Sequence, residues 1–87
     1  MIPVRLDLNV SELPPIEPLE RILETLPRLG PGDWLAVRHR QEPYPLYSLL
    51  RDGGYDWRVR VKGLRDVEIL IWRQNDSLAE QAIEAGS

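Results

Sequence analysis

Leu13-Pro-Pro-Ile-Glu-Pro-Leu-Glu-Arg-Ile-Leu-Glu-Thr-Leu26 is the stretch from which the fold of this chain is read. Leu19, Ile22, Leu23 and Leu26 recur at i, i+3, i+4 and i+7, which makes one apolar stripe at the helical period. Pro18 suits a first turn, because its missing N–H would have no partner inside the helix and its fixed φ is already helical. Glu17 and Glu20 lie near the positive end of the helix dipole, and Glu17 stands four residues before Arg21, a favourable pair. Pro27 then stops the helix or distorts its last turn.

Upstream, Val4, Leu6 and Leu8 alternate with Arg5, Asp7 and Asn9, the period of a strand with one buried face. Downstream, the turn Gly30-Pro-Gly-Asp33 leads into a second strand over residues 34–39. A helix between two strands predicts a right-handed crossover and a parallel pair. Glu42-Pro-Tyr-Pro45 opens a second helix beginning near Pro45, striped by Leu46, Leu49 and Leu50 and ended by Asp52-Gly-Gly54. Residues 55–62 and 67–73 are two further strands, joined by a turn at 63–66 as a hairpin. The order is βαβαββ, an α+β domain over residues 1–73, with a tail over 74–87. That tail carries a short helical pattern capped by Asp76 or Ser77, with Leu78, Ala82 and Ile83 on one side. A helix so short is marginal alone and must dock or fray, and fraying is the expectation.

Eighty-seven residues make one small domain with a single core, which argues against a deep enclosed active site. Cysteine is absent, which removes disulfides, thiolate nucleophiles and Cys-based metal sites together. Residues 1–73 carry 11 basic and 11 acidic side chains, so the net charge of −3 resides in Asp76, Glu80 and Glu84 of the tail. All the basic residues but Lys62 are arginine, a preference that carries no site geometry by itself. Met1-Ile-Pro-Val-Arg5 lacks the basic start and apolar run of a signal peptide, and no segment approaches membrane-spanning length. A cytoplasmic protein without a membrane partner is expected.

Three blocks carry a resemblance: Leu-Pro-Pro-Ile-Glu-Pro-Leu-Glu-Arg-Ile-Leu at 13–23, Glu-Pro-Tyr-Pro-Leu-Tyr at 42–47, and Gly-Tyr-Asp-Trp-Arg-Val at 54–59. In this order they resemble a bacterial domain-of-unknown-function family related to TusA and SirA, over about residues 4–73. The resemblance implies a two-layer α/β sandwich, with two helices on one face of a four-stranded mixed sheet ordered 1-2-4-3. TusA proteins carry sulfur on the cysteine of a Cys-Pro-x-Pro motif at the first helix start, where the helix terminus favours a thiolate. The corresponding residues here are Pro15-Ile16-Glu17-Pro18, and Pro15 cannot carry a persulfide. The scaffold is retained and the sulfur chemistry is absent. Relatives occur beside or fused to hemerythrin-like and other redox or metal-associated domains, which implies a protein partner of that kind. Many of them place a histidine just before the acid-Pro-x-Pro-Leu block. Gln41 stands there in this chain, so that ligand does not transfer to His39.

Candidate sites fall into two groups. Pro15, Glu17, Pro18, Glu42, Pro43 and Pro45 gather at two helix starts beyond the carboxyl ends of the first two strands, where open α/β sheets tend to bind ligands. Capping and dipole effects already explain each of them as a good first-turn residue, which is the favoured reading. His39 is the sole histidine and the one side chain suited to acid–base work or nitrogen ligation near neutral pH. Its strand parity with Leu35 and Val37 favours a core-edge histidine with a satisfied hydrogen bond. A weak metal or redox-ligand site near His39 is the alternative and would need carboxylate partners such as Glu42 or Glu17, a spacing the sequence does not fix, so no metal or cofactor is assigned.

The second group lies on the other sheet face. If Leu35, Val37, Val59, Val61, Ile69 and Ile71 face the helices, then Trp34, Ala36, Leu70 and Trp72 point away, beside Arg5, Arg38, Arg58 and Arg60. An apolar patch edged by arginine has the composition of a protein-contact hot spot, for a protein partner or for a second copy of the chain. The tail offers an equal alternative, covering the patch with Leu78, Ala82 and Ile83 and answering the arginines with Glu80 and Glu84. Single-stranded nucleic acid is a further alternative through the arginines and tryptophans, and the lack of a basic excess argues against it. No nucleophile–histidine–acid spacing, glycine-rich phosphate loop or paired-carboxylate signature points to an enzyme.

Overall fold

The computed structural model describes residues 2–14 and 17–86. The elements are β1 (Arg5–Asn9), α1 (Glu17–Thr25), a 3-10 turn (Leu26–Arg28), β2 (Trp34–His39), α2 (Tyr44–Gly53), β3 (Tyr55–Gly63), β4 (Asp66–Arg73) and α3 (Ser77–Ala85). The sheet order is β1-β2-β4-β3, with β1 and β2 parallel and the other pairs antiparallel. The expected α+β fold and mixed sheet are thus what forms. Pro15 and Ile16 lie outside the described residues.

The first core lies between one sheet face and helices α1 and α2. Ile22 from α1 and Leu26 from the 3-10 turn that follows it, with Leu46 and Leu50 from α2, bury against Leu35, Val37, Val67, Ile69 and Ile71. Pro18 is also buried and Leu23 turns outward, so the α1 stripe is centred slightly to one side of the expected one. Pro27 converts the end of α1 into the 3-10 turn, closed by the Leu29 N–H donating to the Leu26 carbonyl at 3.1 Å. In α2, Leu49 is exposed, and Tyr47 packs against the core in its stead. Gly54 takes the left-handed cap at φ 87°, a conformation natural to glycine. Val61, expected to face the helices, is 70% exposed. It sits at the far end of edge strand β3, next to the bulge between Val61 and Gly63, beyond the reach of the helices.

The tail corrects a second expectation. Residues 77–85 form α3, and this helix docks on the opposite sheet face. Asp76 caps it by accepting from the Ala79 N–H at 3.2 Å, and its other oxygen accepts from the Gly32 N–H at 2.8 Å. Within the same turn, Asp33 accepts from the Val4 N–H at 3.0 Å and the Gly30 N–H at 2.9 Å. One glycine-proline turn therefore holds the starts of both β1 and α3. Ala79 and Ile83 are the buried residues of α3, while Leu78 is exposed, so the docked stripe is one position later than the pattern suggested. A helix too short to persist alone is held by this cap and by its apolar contact.

Candidate interaction face

The parallel β1–β2 pair brings the starts of α1 and α2 to one end of the sheet, and the Val10 N–H extends the pairing by donating to the Arg38 carbonyl at 2.9 Å. Pro18 is buried, whereas Glu17 and Pro45 are exposed. Glu42 accepts a hydrogen bond from the Tyr47 hydroxyl at 2.9 Å, and the Tyr47 ring stacks on Trp57 with centroids 5.3 Å apart. Burial and the Glu42 carboxylate push the Tyr47 hydroxyl pKa up, so it stays protonated as a donor. Pro43 directly precedes α2. These contacts give Glu42 and Tyr47 a structural use, and Pro15 lies outside the described residues.

His39 is buried, on the helix-facing side of β2, and its Nδ1 accepts from the Gln41 N–H at 3.2 Å. Accepting at Nδ1 places the imidazole proton on Nε2. Burial first, and the Arg40 charge second, push its pKa below the ordinary imidazole value, which favours the neutral ring. No cluster of three or more His, Cys, Asp or Glu side chains suited to a metal ion occurs among the described residues.

The second face divides in two. Its upper half is the small core of Ala36, Leu70, Trp72, Ala79 and Ile83, with Trp34 packed at its margin. Trp72 is only 5% exposed, and its Nε1 is buried without a hydrogen-bond partner among the described residues. Of the two readings of this patch, an exposed interaction face or one covered by the tail, the covered one holds for Leu70 and Trp72, which lie under α3, and the stacking platform a nucleic acid would use is closed. The Arg58 guanidinium stands 4.0 Å from the Glu84 carboxylate, linking β3 to the covering helix.

The lower half is open and charged. Register places Asn9, Arg38, Glu68 and Arg60 side by side across the four strands. Glu68, at 8% exposure, receives Arg5 at 3.1 Å, Lys62 at 3.4 Å and Arg60 at 3.9 Å. Arg38 spans to Asp66 with Nε at 3.2 Å and Nη2 at 3.3 Å, which raises its already high pKa. Arg5, Asp7, Arg38, Lys62, Asp66 and Glu68 line a cleft of about 410 Å³ there. Glu68, Lys62 and Asp66 were not singled out from the sequence. The signal was available: Glu68 is the one charge inside the apolar run 67–72 and shares parity with Leu70 and Trp72.

No helix among the described residues is long and apolar enough to cross a membrane. A family model described as an uncharacterized conserved protein (DUF2249) matches residues 7–73, from within β1 to the end of β4. No curated protein and no solved structure matches the chain.

Proposed function

The chain belongs to that uncharacterized conserved family, and on its fold and second sheet face we propose that it is a TusA-like binding module without sulfur-transfer activity. The single observation that carries the proposal is the open half of the second face. Arg5 and Lys62 gather on the nearly buried Glu68 and Arg38 on Asp66, in a charge-balanced cleft of about 410 Å³ that Asp7 also lines, while the apolar half of the same face is closed by α3. Paired charges of this kind hold their side chains in place and leave donors and acceptors of both signs for a partner. They suit a polar segment of mixed charge on a partner protein, and the resemblance points to a redox or metal-associated one. A chain without cysteine has no side chain on which to carry a persulfide, so binding rather than group transfer is the role this scaffold retains.

The test compares wild-type bait with an Arg38→Glu, Lys62→Glu double variant. Both side chains are more than half exposed, so the fold survives the change. A protein retained by wild type, released by added salt and lost from the variant supports the module. Equal retention by both baits removes the charged cleft from the account.

A further inference from the structure

The sheet has two open edges, and they are built differently. β3 carries Arg58, Arg60 and Lys62 and ends in a bulge, devices that discourage a further strand. β1 has no bulge. Its backbone polarity is fixed by two hydrogen bonds, the Trp34 N–H to the Val4 carbonyl at 3.2 Å and the Val10 N–H to the Arg38 carbonyl at 2.9 Å. Residues 4, 6, 8 and 10 therefore turn their backbone groups toward β2, and Arg5, Asp7 and Asn9 present theirs at the open edge.

The sequence of that edge, Val4-Arg5-Leu6-Asp7-Leu8, is complementary to itself when reversed about Leu6. An antiparallel copy in this register sets Arg5 against the partner's Asp7 and Asp7 against the partner's Arg5, as hydrogen-bonded pairs that use the open backbone groups. It sets Leu6 against the partner's Leu6, and Val4 against the partner's Leu8, on the helix side. A shift by two residues in one direction opposes Arg5 to itself, and in the other opposes Asp7 to itself, so charge selects the register. Alongside the edge runs a groove of about 390 Å³ between β1 and α1, lined by Leu6, Leu8, Arg21, Glu24 and Arg28 among others. Arg21, Glu24 and Arg28 have no ion pair among the described residues, and they alternate in sign along the wall that a second α1 would meet.

We propose that β1 is a self-pairing edge through which two copies of the chain join antiparallel about a two-fold axis at Leu6, forming one continuous eight-stranded sheet. The two-fold operation keeps the faces in step, so both charged clefts open on the same side of the dimer and Arg5 belongs to the seam as well as to the cleft.

Sedimentation of the full chain tests this. Wild type is expected at twice the monomer mass of 10.1 kDa. Asp7→Arg and Arg5→Asp, each verified as folded by circular dichroism, are expected to sediment as monomers. Mixed in equal amounts, they are expected to dimerise, because one variant then presents two arginines along its edge and the other opposes them with two aspartates. Should Arg5→Asp fail to fold, Leu6→Cys provides an independent reading in a chain that has no other cysteine. The two positions at the axis form a non-hydrogen-bonded pair with Cα atoms about 4.5 Å apart, within disulfide reach, so mild oxidation yields a covalent dimer. Leu64→Cys at the hairpin tip does not. Wild type monomeric up to millimolar concentration, a dimer indifferent to Asp7→Arg, or equal cross-linking at 6 and 64 each overturns the proposal. The first would leave the edge to a foreign strand, and the second would move the interface elsewhere.

Discussion

The two faces of the sheet are made by the same four strands, yet one is sealed and the other is half open. Helices α1 and α2 cover the first with a continuous aliphatic core from Ile22 and Leu26 to Leu46 and Leu50. The second is partitioned along the strands: Trp34, Ala36, Leu70 and Trp72 lie under α3, and two residues further along the same strands come Arg38 and Glu68, in the open cleft. Because successive side chains alternate between faces, one parity can be committed to stability while the other is divided between packing and exposed charge. Stability should therefore reside mostly on the sealed face and recognition on the open half.

The strongest way to break this contrast is a cavity on each face. Leu50→Ala removes a fully buried side chain between α2 and the sheet, and is expected to cost about 2–5 kcal/mol in urea unfolding. Ile83→Ala deletes the same kind of bulk under α3, but a helix of nine residues can detach instead of leaving the sheet strained. A smaller cost of about 1–2 kcal/mol is expected there, with hydrogen-exchange protection lost over residues 77–85 and retained in α1 and α2. Equal costs with global loss of protection would show that the two faces form one cooperative unit.

Trp72 sharpens the comparison at a smaller scale. Its indole N–H is buried without a partner among the described residues, so the side chain contributes packing and carries an unmet desolvation cost. Trp72→Phe keeps most of the ring and removes that donor, and is expected within about 1 kcal/mol of wild type, whereas Trp72→Ala empties the space under α3 and is expected to cost about as much as Ile83→Ala, with α3 detaching in the same way. If phenylalanine were as damaging as alanine, the indole nitrogen would have to be satisfied in solution by a water or by a movement of α3.

Much of this arrangement is legible in the sequence. Alternation alone assigns β2 from Trp34 to His39 and the side of Leu35, Val37, Ile69 and Ile71, and the turn at 30–33 separates α1 from β2. What the pattern does not contain is where each element stops being covered. Val61 and Ile69 have the same alternation, but Val61 lies on an edge strand past the helices and Ile69 lies at the centre. Whether the tail frays or docks is also a tertiary matter: Asp76 looks like an ordinary cap until the fold brings the Gly32 N–H to its second oxygen, 44 residues away in sequence. The charged cleft was legible only in part. Arg38 and Arg60 were evident on that face, but the carboxylate that gathers its neighbours, Glu68, reads locally as a polar interruption in an apolar strand. Its role depends on Arg5, which is 63 residues distant.

The smallest expected effect places a single titrating group on the sealed face. Burial and the Arg40 charge lower the folded-state pKa of His39, so the folded protein favours the neutral imidazole more than the unfolded chain does, whose value lies near about 6.5. By linkage the unfolded state binds the proton more readily, and the stability associated with His39 is intact above about pH 6.5 and declines as pH falls toward the lowered folded value. The thermal midpoint of wild type should therefore drop between pH 7 and pH 5.5, before most carboxylates titrate. His39→Gln, which keeps an acceptor for the Gln41 N–H, should start slightly lower and lose that slope. Identical slopes would mean that His39 is solvated well enough to titrate freely. The sealed face would then be open at its His39 end, where β2 leads into the start of α2.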